Sequence, residues 1–174
     1  MAVYTKINTE DIQNIERNFN FGKIISFNGI KKGIENTNYS ILTTKKKYIL
    51  TIFEKRVLQK EIPFFMKLMD NLNNSKINCP KPLKTKENKY LIKLKNKTAC
   101  IVSFLEGKDK KILNINDCYA IGKIIARMHV VTNKMKLNRK NSMGIRNLKP
   151  LLESIKFKSK KFSNLKVFLK NNLK

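Results

Sequence analysis

The chain has 174 residues, 41% of them hydrophobic, and a formal net charge of +26. Enough apolar residues are present for a packed core, and this excludes wholesale disorder. No run approaches the roughly 20 apolar residues that a membrane span needs, and the first residues show no signal-peptide pattern.

The positive charge comes almost entirely from lysine, since only five of the 38 basic residues are arginines. Specific recognition of phosphate and guanine favours the forked donors of arginine. Lysine, asparagine and isoleucine are abundant along the whole chain, as is typical of an AT-rich genome. We therefore interpret the charge as compositional bias on solvated faces, which predicts only nonspecific, salt-sensitive nucleic-acid binding. A basic nucleic-acid-binding module stays open as the alternative from a different functional class.

The three cysteines are odd in number and lie far apart in the chain. They are Cys79, Cys100 and Cys118. This spacing fits neither a disulfide framework nor a zinc site. Unpaired thiols predict a reducing compartment, so we expect a cytoplasmic protein.

The first predicted elements are a helix, a strand and a hairpin. The helix covers residues 8–19, where a polar residue can cap the N-terminus and apolar residues recur on one face. A short β-prone run follows at 23–27. Two β-branched runs, 39–44 and 48–53, are separated by a short lysine turn and predict an antiparallel hairpin.

The middle of the chain predicts one helix and two further strands. Apolar residues recur at helical spacing over 58–74. Pro63 must lie in the first turn of this helix, because an interior proline would break the hydrogen-bond ladder. Strands are predicted at 90–94 and 99–105, joined by a Lys-Asn-Lys turn.

After Gly107 the pattern becomes helical. Residues 116–131 predict an amphipathic helix, and another helix is expected to begin near Pro150. The elements in chain order are one helix, five short strands with a helix inserted after the third, and then helices only. This order predicts an α+β fold, with a five-stranded antiparallel lobe at 1–106 and a helical region at 107–174.

A glycine- and asparagine-containing segment carries the first resemblance to a known family. The run Gly33-Ile34-Glu35-Asn36-Thr37-Asn38-Tyr39, followed by Tyr48-Ile49-Leu50-Thr51, resembles the opening of the aminoglycoside-phosphotransferase and choline-kinase-like superfamily. The homoserine kinases of that superfamily are similar over nearly the whole chain. The matching segments are 1–5, 54–57, 63–65, 101–107, 122–129 and 143–144.

The resemblance implies a protein-kinase-like fold. Residues 1–106 would form the N-lobe that binds ATP, and 107–174 would contain the first helices of a truncated, helical C-lobe. The implied activity is ATP-dependent phosphorylation of L-homoserine, a step of threonine biosynthesis. Choline, an aminoglycoside or another small alcohol or amine is the alternative substrate. This interpretation also predicts that Phe53, Phe65 and Phe104 are buried.

The resemblance implies that one turn covers the phosphates of the nucleotide. It would be formed by Gly33, Glu35, Asn36, Thr37 and Asn38. Glycine and asparagine tolerate the left-handed backbone that such a turn needs. An ordinary hairpin connection without a ligand is the alternative.

Two more parts of the nucleotide site are implied in the same way. Ser103, Phe104 and Leu105 would form a hinge between the lobes, where backbone N–H and C=O groups pair with the adenine edge. Kinase-like folds place a phosphate-binding lysine on the third strand, and Thr51 occupies that position here. Lys55 is the candidate substitute, and the sequence leaves open which of the two faces the phosphates.

Two charged or titratable residues complete the candidates. Glu61, near the start of the helix that follows, is the nearest acidic partner for a phosphate-binding cation. His129 is the only histidine and lies on the predicted amphipathic helix, so we interpret it as structural rather than as a general base.

No catalytic or metal-binding residue is predicted in this chain. The family supplies its catalytic aspartate and Mg²⁺ ligands from a His-x-Asp-x-x-x-x-Asn loop and a later aspartate. The last aspartate here is Asp117, and only Glu153 follows it among the acidic residues. We therefore expect a fragment that is inactive alone, with ATP and Mg²⁺ as cofactors. The metal ligands and most of the homoserine pocket would lie in a missing C-terminal half. Three explanations stay open: a truncated gene, a misread frame, and a split enzyme with that half as a separate partner.

Overall fold

The computed structural model describes residues 3–55, 57–141, 144–155 and 160–172. Two compact units are present, Met1–Leu137 and Asn138–Lys174. The elements of the first unit are α1 (Thr9–Asn18), β1 (Ile24–Gly29), β2 (Thr37–Thr43), β3 (Lys47–Ile52), α2 (Ile62–Asn74), β4 (Leu91–Leu94), β5 (Lys97–Ser103) and α3 (Ile115–Asn133). The second unit contains α4 (Ile145–Ser154) and α5 (Lys160–Asn172). The predicted lobe boundary at 106/107 stays a prediction.

The five strands form one antiparallel sheet in the order β1-β2-β3-β5-β4. This confirms the predicted fold class. The β2–β3 hairpin turns at the predicted lysines, where the hydroxyl of Thr43 accepts the N–H groups of Lys45 and Lys46. The β4–β5 turn places Lys95 and Asn96 at positive φ, the backbone that tight hairpin turns require.

The first helix covers one face of the sheet. Asn8 and Asp11 form a capping box at its N-terminus, as the polar residues there predict. Ile12 and Ile15 then point into a core that β2, β3 and β5 line from the other side. The buried members of this core are Ile7, Ile12, Ile15, Phe19, Phe21, Tyr39, Ile41, Tyr48, Leu50, Ile52, Leu94, Ala99 and Ile101.

The second helix covers part of the opposite face. Pro63 lies in its first turn, where the missing N–H leaves no hydrogen bond unmade. Ile62 and Met66 pack against Cys100 and Val102 of β5. The three phenylalanines predicted to be buried, Phe53, Phe65 and Phe104, are only half-buried.

The third helix is present as predicted, but its apolar side chains are not covered. Asn114 and Asp117 form its capping box. All 19 of its residues are described, and none is buried. Tyr119 is 73% exposed, and Ile121, Ile124 and Ile125 are each close to half exposed. No helix in the described part of the chain is long and apolar enough to cross a membrane.

The fourth helix begins earlier than predicted. The expectation that it starts near Pro150 is wrong, because the helix runs from Ile145 and places the proline in its interior. The carbonyl of Gly144 accepts the first backbone hydrogen bonds of this helix, from the N–H groups of Asn147 and Leu148. The ring nitrogen at position 150 has no hydrogen to donate, so one bond of the ladder is absent there.

Candidate functional site

One face of the sheet is only partly covered by α2. Side chains alternate along a strand, so β2 and β3 direct every second residue to this face. In cross-strand register, Asn38 lies opposite Thr51, and Ser40 opposite Ile49. These four side chains are all half-buried, and Leu42, two residues beyond Ser40, is exposed. The uncovered strip is therefore polar near the start of β2 and apolar near its end.

Thr51 and Asn38 form a neutral pair at the polar end of this strip. The Thr51 hydroxyl donates to Oδ1 of Asn38 at 2.8 Å. Because this bond occupies the amide oxygen, the two N–H hydrogens of the Asn38 side chain are directed elsewhere, and they make no bond to a described residue. Lys55 lies beyond the last residue of β3 and is exposed. Thr51, not Lys55, therefore lies on the strand face at the position predicted for a phosphate-binding residue.

The residues predicted to cover phosphates lie in the turn between β1 and β2 and in the first two positions of β2. Gly33 has a φ of 122°, a backbone conformation that other residues rarely adopt. Oδ1 of Asn36 accepts the backbone N–H of Glu54 at 3.3 Å. Thr37 is fully buried on the opposite face of the sheet, so its side chain does not point toward the uncovered strip. Glu35 is exposed at the tip of the turn.

The predicted hinge begins where β5 ends. Ser103 and Lys81 are joined by two hydrogen bonds. The N–H of Ser103 donates to the carbonyl of Lys81 at 2.8 Å, and the N–H of Lys81 donates to the hydroxyl of Ser103 at 2.9 Å. The N–H of Phe104 donates to the carbonyl of Lys47 at 3.3 Å, and the ammonium of the same lysine lies 4.0 Å from the phenylalanine ring. The backbone groups of Leu105 make no hydrogen bond to a described residue. This residue is the first after the sheet whose N–H and C=O are open to a ligand.

Two other predicted residues lie outside this strip. Glu61 occupies the N-cap position of α2 without a side-chain capping hydrogen bond, and it is half-buried. His129, interpreted from sequence as structural, is exposed on α3. Among the described residues, no group of three or more His, Cys, Asp or Glu side chains is arranged to hold a metal ion.

A polar cluster behind the turn was missed by the sequence reasoning. The carboxylate of Glu54 accepts hydrogen bonds from the hydroxyls of Thr5 at 2.6 Å and Thr37 at 2.7 Å, and from the ammonium of Lys97. Burial raises the pKa of Glu54, but these three bonds outweigh it, so the net pKa lies below its usual value. The available signal was the resemblance at segments 1–5 and 54–57, since Thr5 of the first segment and Glu54 of the second meet here.

A separate open cavity of about 400 Å³ is lined by Asp70, Tyr90 and neighbouring residues of the 81–84 segment. The Tyr90 hydroxyl donates to Asp70 at 2.8 Å. Burial and the adjacent carboxylate raise the pKa of this phenol to about 12. None of the predicted nucleotide-binding residues lines this cavity.

Comparison with known proteins relates most of the chain to phosphate-transferring enzymes. The profile of the phosphotransferase enzyme family matches residues 26–155. The homoserine kinase of Paramagnetospirillum magneticum is 36% identical over 156 residues, which are 90% of this chain and 48% of that protein. The homoserine kinase of Allorhizobium ampelinum is 39% identical over 145 residues, 83% of this chain and 45% of that protein. The chain thus spans about half the length of the curated relatives it matches.

Two solved structures share the fold. Amicoumacin kinase in complex with AMP-PNP, Ca²⁺ and Ami has a TM-score of 0.68 at 17% identity, over 88% of this chain and 49% of that chain. Spectinomycin phosphotransferase in complex with ADP and spectinomycin has a TM-score of 0.61 at 16% identity, over 97% of this chain and 54% of that chain. At such identities the likeness concerns the fold alone, and it confirms the predicted kinase-like architecture.

Proposed function

The chain belongs to the phosphotransferase enzyme family, and we propose that it is the nucleotide-binding, N-terminal part of a homoserine kinase. In this proposal, residues 1–106 form the ATP lobe and 107–174 begin the helical lobe. The reaction of the whole enzyme transfers the terminal phosphoryl group of ATP to the hydroxyl of L-homoserine, in threonine biosynthesis. The enzyme works in the cytoplasm, which agrees with three free cysteines among the described residues.

The choice of homoserine as the substrate rests on the sequence identity to homoserine kinases, which extends over most of the chain. This identity reaches 36% over 90% of the chain, whereas the antibiotic kinases share the fold at only 16–17% identity. Homoserine is therefore favoured over choline or an aminoglycoside. The side chains that would select the substrate belong to the half of the relatives that this chain does not match.

The nucleotide is proposed to lie along the uncovered strip of the sheet. Leu42 and the half-buried Ile49, which also packs against the cluster around Ile62, offer an apolar surface for the adenine ring. Leu42 pairs with Lys47, and Phe104, the neighbour of Leu105, donates to the carbonyl of the same lysine, so the open backbone groups of Leu105 lie at this end of the sheet. The polar end, with Asn38 and Thr51, then receives the phosphates. The strip changes from apolar to polar in the same direction as a nucleotide changes from base to phosphate, and this match supports the orientation.

The described residues provide no complete side-chain site for Mg²⁺, since no group of three or more His, Cys, Asp or Glu among them is arranged to hold a metal ion. We propose that the metal ligands and the aspartate that orients the homoserine hydroxyl are supplied by the other half found in the longer relatives, as part of the same polypeptide or as a separate partner. The residues of this chain would then bind and orient the nucleotide.

Titration of the ¹⁵N-labelled chain with AMP-PNP tests nucleotide binding. We expect weak binding, with amide shift changes at Asn36, Asn38 and Leu105, because one wall of a cleft seldom repays the cost of association. Inorganic triphosphate is the matched control, and it should leave Leu105 unchanged. Shifts confined to the lysines of α5 contradict the proposal and favour nonspecific phosphate attraction.

A mixing experiment tests the substrate. The chain is combined with the unmatched half of the Paramagnetospirillum magneticum homoserine kinase, and ADP release is measured with homoserine, choline and spectinomycin. We expect release with homoserine only, and no turnover by the chain alone, because no group of three or more His, Cys, Asp or Glu side chains among the described residues is arranged to hold a metal ion. Turnover by the isolated chain, or equal rates with all three substrates, contradicts the proposal.

A further inference from the structure

The turn between β1 and β2 has little apolar packing to hold it. Residues 31–35 are all exposed, and the side chain of Ile34 is 80% exposed. A segment with so few buried apolar contacts belongs to the least stable part of a fold unless hydrogen bonds fix it. The position of this turn therefore depends on the polar groups that contact it.

The N-terminal segment and Glu54, two residues after the end of β3, supply these contacts. The hydroxyl of Tyr4 donates to the carbonyl of Ile34 at 3.1 Å. The backbone N–H groups of Tyr4 and Thr5 both donate to the hydroxyl oxygen of Thr37, at 3.0 and 3.1 Å. The N–H of Glu54 reaches the side chain of Asn36. Three residues of the turn and its exit are thus bonded to groups from outside it.

The Glu54 carboxylate joins these contacts into one network. It receives the hydroxyl hydrogens of both Thr5 and Thr37, and its second oxygen receives the ammonium of Lys97. Hydrogen bonds to a charged acceptor are about twice as strong as bonds between neutral groups. The Glu54 side chain is only 11% exposed, so losing its partners would leave a poorly solvated charge.

We infer that Glu54 is a positioning residue, which holds the 33–36 turn in place through Thr37, the first residue of β2, and through the N-terminal segment 3–5. The inference rests on the proposed function, because this turn is the part proposed to cover the nucleotide phosphates. A turn that is already in place loses less conformational entropy when phosphates bind. Loosening the network should therefore weaken binding of the phosphates and leave binding of the adenine part unchanged, since the hinge is at the other end of β3.

Two substitutions loosen the network to different extents. Thr37→Val removes the hydroxyl that links the turn to Glu54. Tyr4→Phe removes only the bond to Ile34, and Tyr4 is 54% exposed, so this variant keeps the fold. Thr85→Val is the matched control, because Thr85 is also buried and its hydroxyl accepts a backbone N–H in a different turn.

The first measurement is the backbone order parameter of residues 33–36, the turn that precedes β2, in the nucleotide-free chain. We expect a value of about 0.85 in the unaltered chain and below about 0.6 in Thr37→Val, the ranges typical of rigid and flexible backbone. Tyr4→Phe should lie between these values, and Thr85→Val should match the unaltered chain. Unchanged order parameters in both network variants overturn the inference.

The second measurement compares AMP-PNP with adenosine. We expect Thr37→Val to bind AMP-PNP about tenfold more weakly and adenosine with unchanged affinity, since only the phosphate contacts lose preorganisation. A flexible turn with unaltered AMP-PNP affinity overturns the link to phosphate binding. If the unaltered chain binds neither compound, the proposed function fails, whereas the order parameters still decide whether the network holds the turn.

Discussion

Replacing Thr51 with valine tests whether the Asn38–Thr51 pair serves nucleotide binding. Valine keeps the β-branched shape that suits a strand and removes only the hydroxyl. The lost bond is 2.8 Å long, neutral and half-buried, so its net contribution is about 1 kcal/mol. The Asn38 amide then rotates freely. We expect the affinity for AMP-PNP to fall about fivefold, since 1.4 kcal/mol corresponds to a factor of ten.

The assay is an NMR titration with AMP-PNP and with adenosine at one fixed ionic strength, because a highly basic surface attracts phosphate in a salt-dependent way. Adenosine affinity should not change. Thr51→Ser restores the hydroxyl and should restore the affinity. Lys55→Ala is the control for charge, and its effect should stay within about twofold because Lys55 is exposed beyond the strand. If Lys55→Ala weakens binding and Thr51→Val does not, the reasoning is refuted and Lys55 makes the contact.

Three further outcomes are expected. Ile15→Ala, at a fully buried position, should lower the free energy of unfolding in denaturant by about 2–5 kcal/mol. Ile25→Ala, at a position 62% exposed, should change this free energy by about 0.5 kcal/mol at most. Equal effects of the two variants contradict the assigned core. Because the pKa of Glu54 is lowered on folding, its contribution to stability is present above the unfolded value of 4.5 and is lost as the pH falls through the folded pKa. In Glu54→Gln, the free energy of unfolding should therefore depend less on pH below pH 4.5 than in the unaltered chain. An unchanged pH dependence contradicts the hydrogen bonds assigned to the Glu54 carboxylate. Duplex DNAs of unrelated sequence should bind the chain with equal affinity, and this affinity should fall by about a thousandfold or more between roughly 50 and 200 mM salt. A sequence preference that persists at the higher salt concentration would favour a basic nucleic-acid-binding module.

The sheet and the first two helices could be predicted because each depends on local patterns. The alternation of β2 and β3, the cap at Asn8 and the place of Pro63 are all set by residues within one turn or one strand. The start of α4 could not be predicted in this way. Pro150 is a strong local signal for a first turn, but the helix had already begun five residues earlier.

The candidate site was predicted in part. Sequence placed Thr51 on the third strand, but the identity of its partner depends on the β2–β3 register, which sets Asn38 opposite it. The inward direction of Thr37 follows from the same register. The contact between Glu54 and Lys97 joins residues 43 positions apart, and no local pattern specifies such a pair. Resemblance indicated the segments, and only the fold brought them together.

The place of Lys97 in the network has a consequence for the order in which the chain is made. Lys97 also donates to the hydroxyl of Thr5, which was synthesised 92 residues earlier. At about 5–20 residues per second, the ribosome needs on the order of 5 to 20 seconds to cover this distance. The N-terminal segment, the hairpin and Glu54 all emerge during that interval without their cation. The 33–36 turn is therefore expected to become fixed only when β5 emerges and completes the sheet, so a nascent chain shorter than this carries the turn but not its final position.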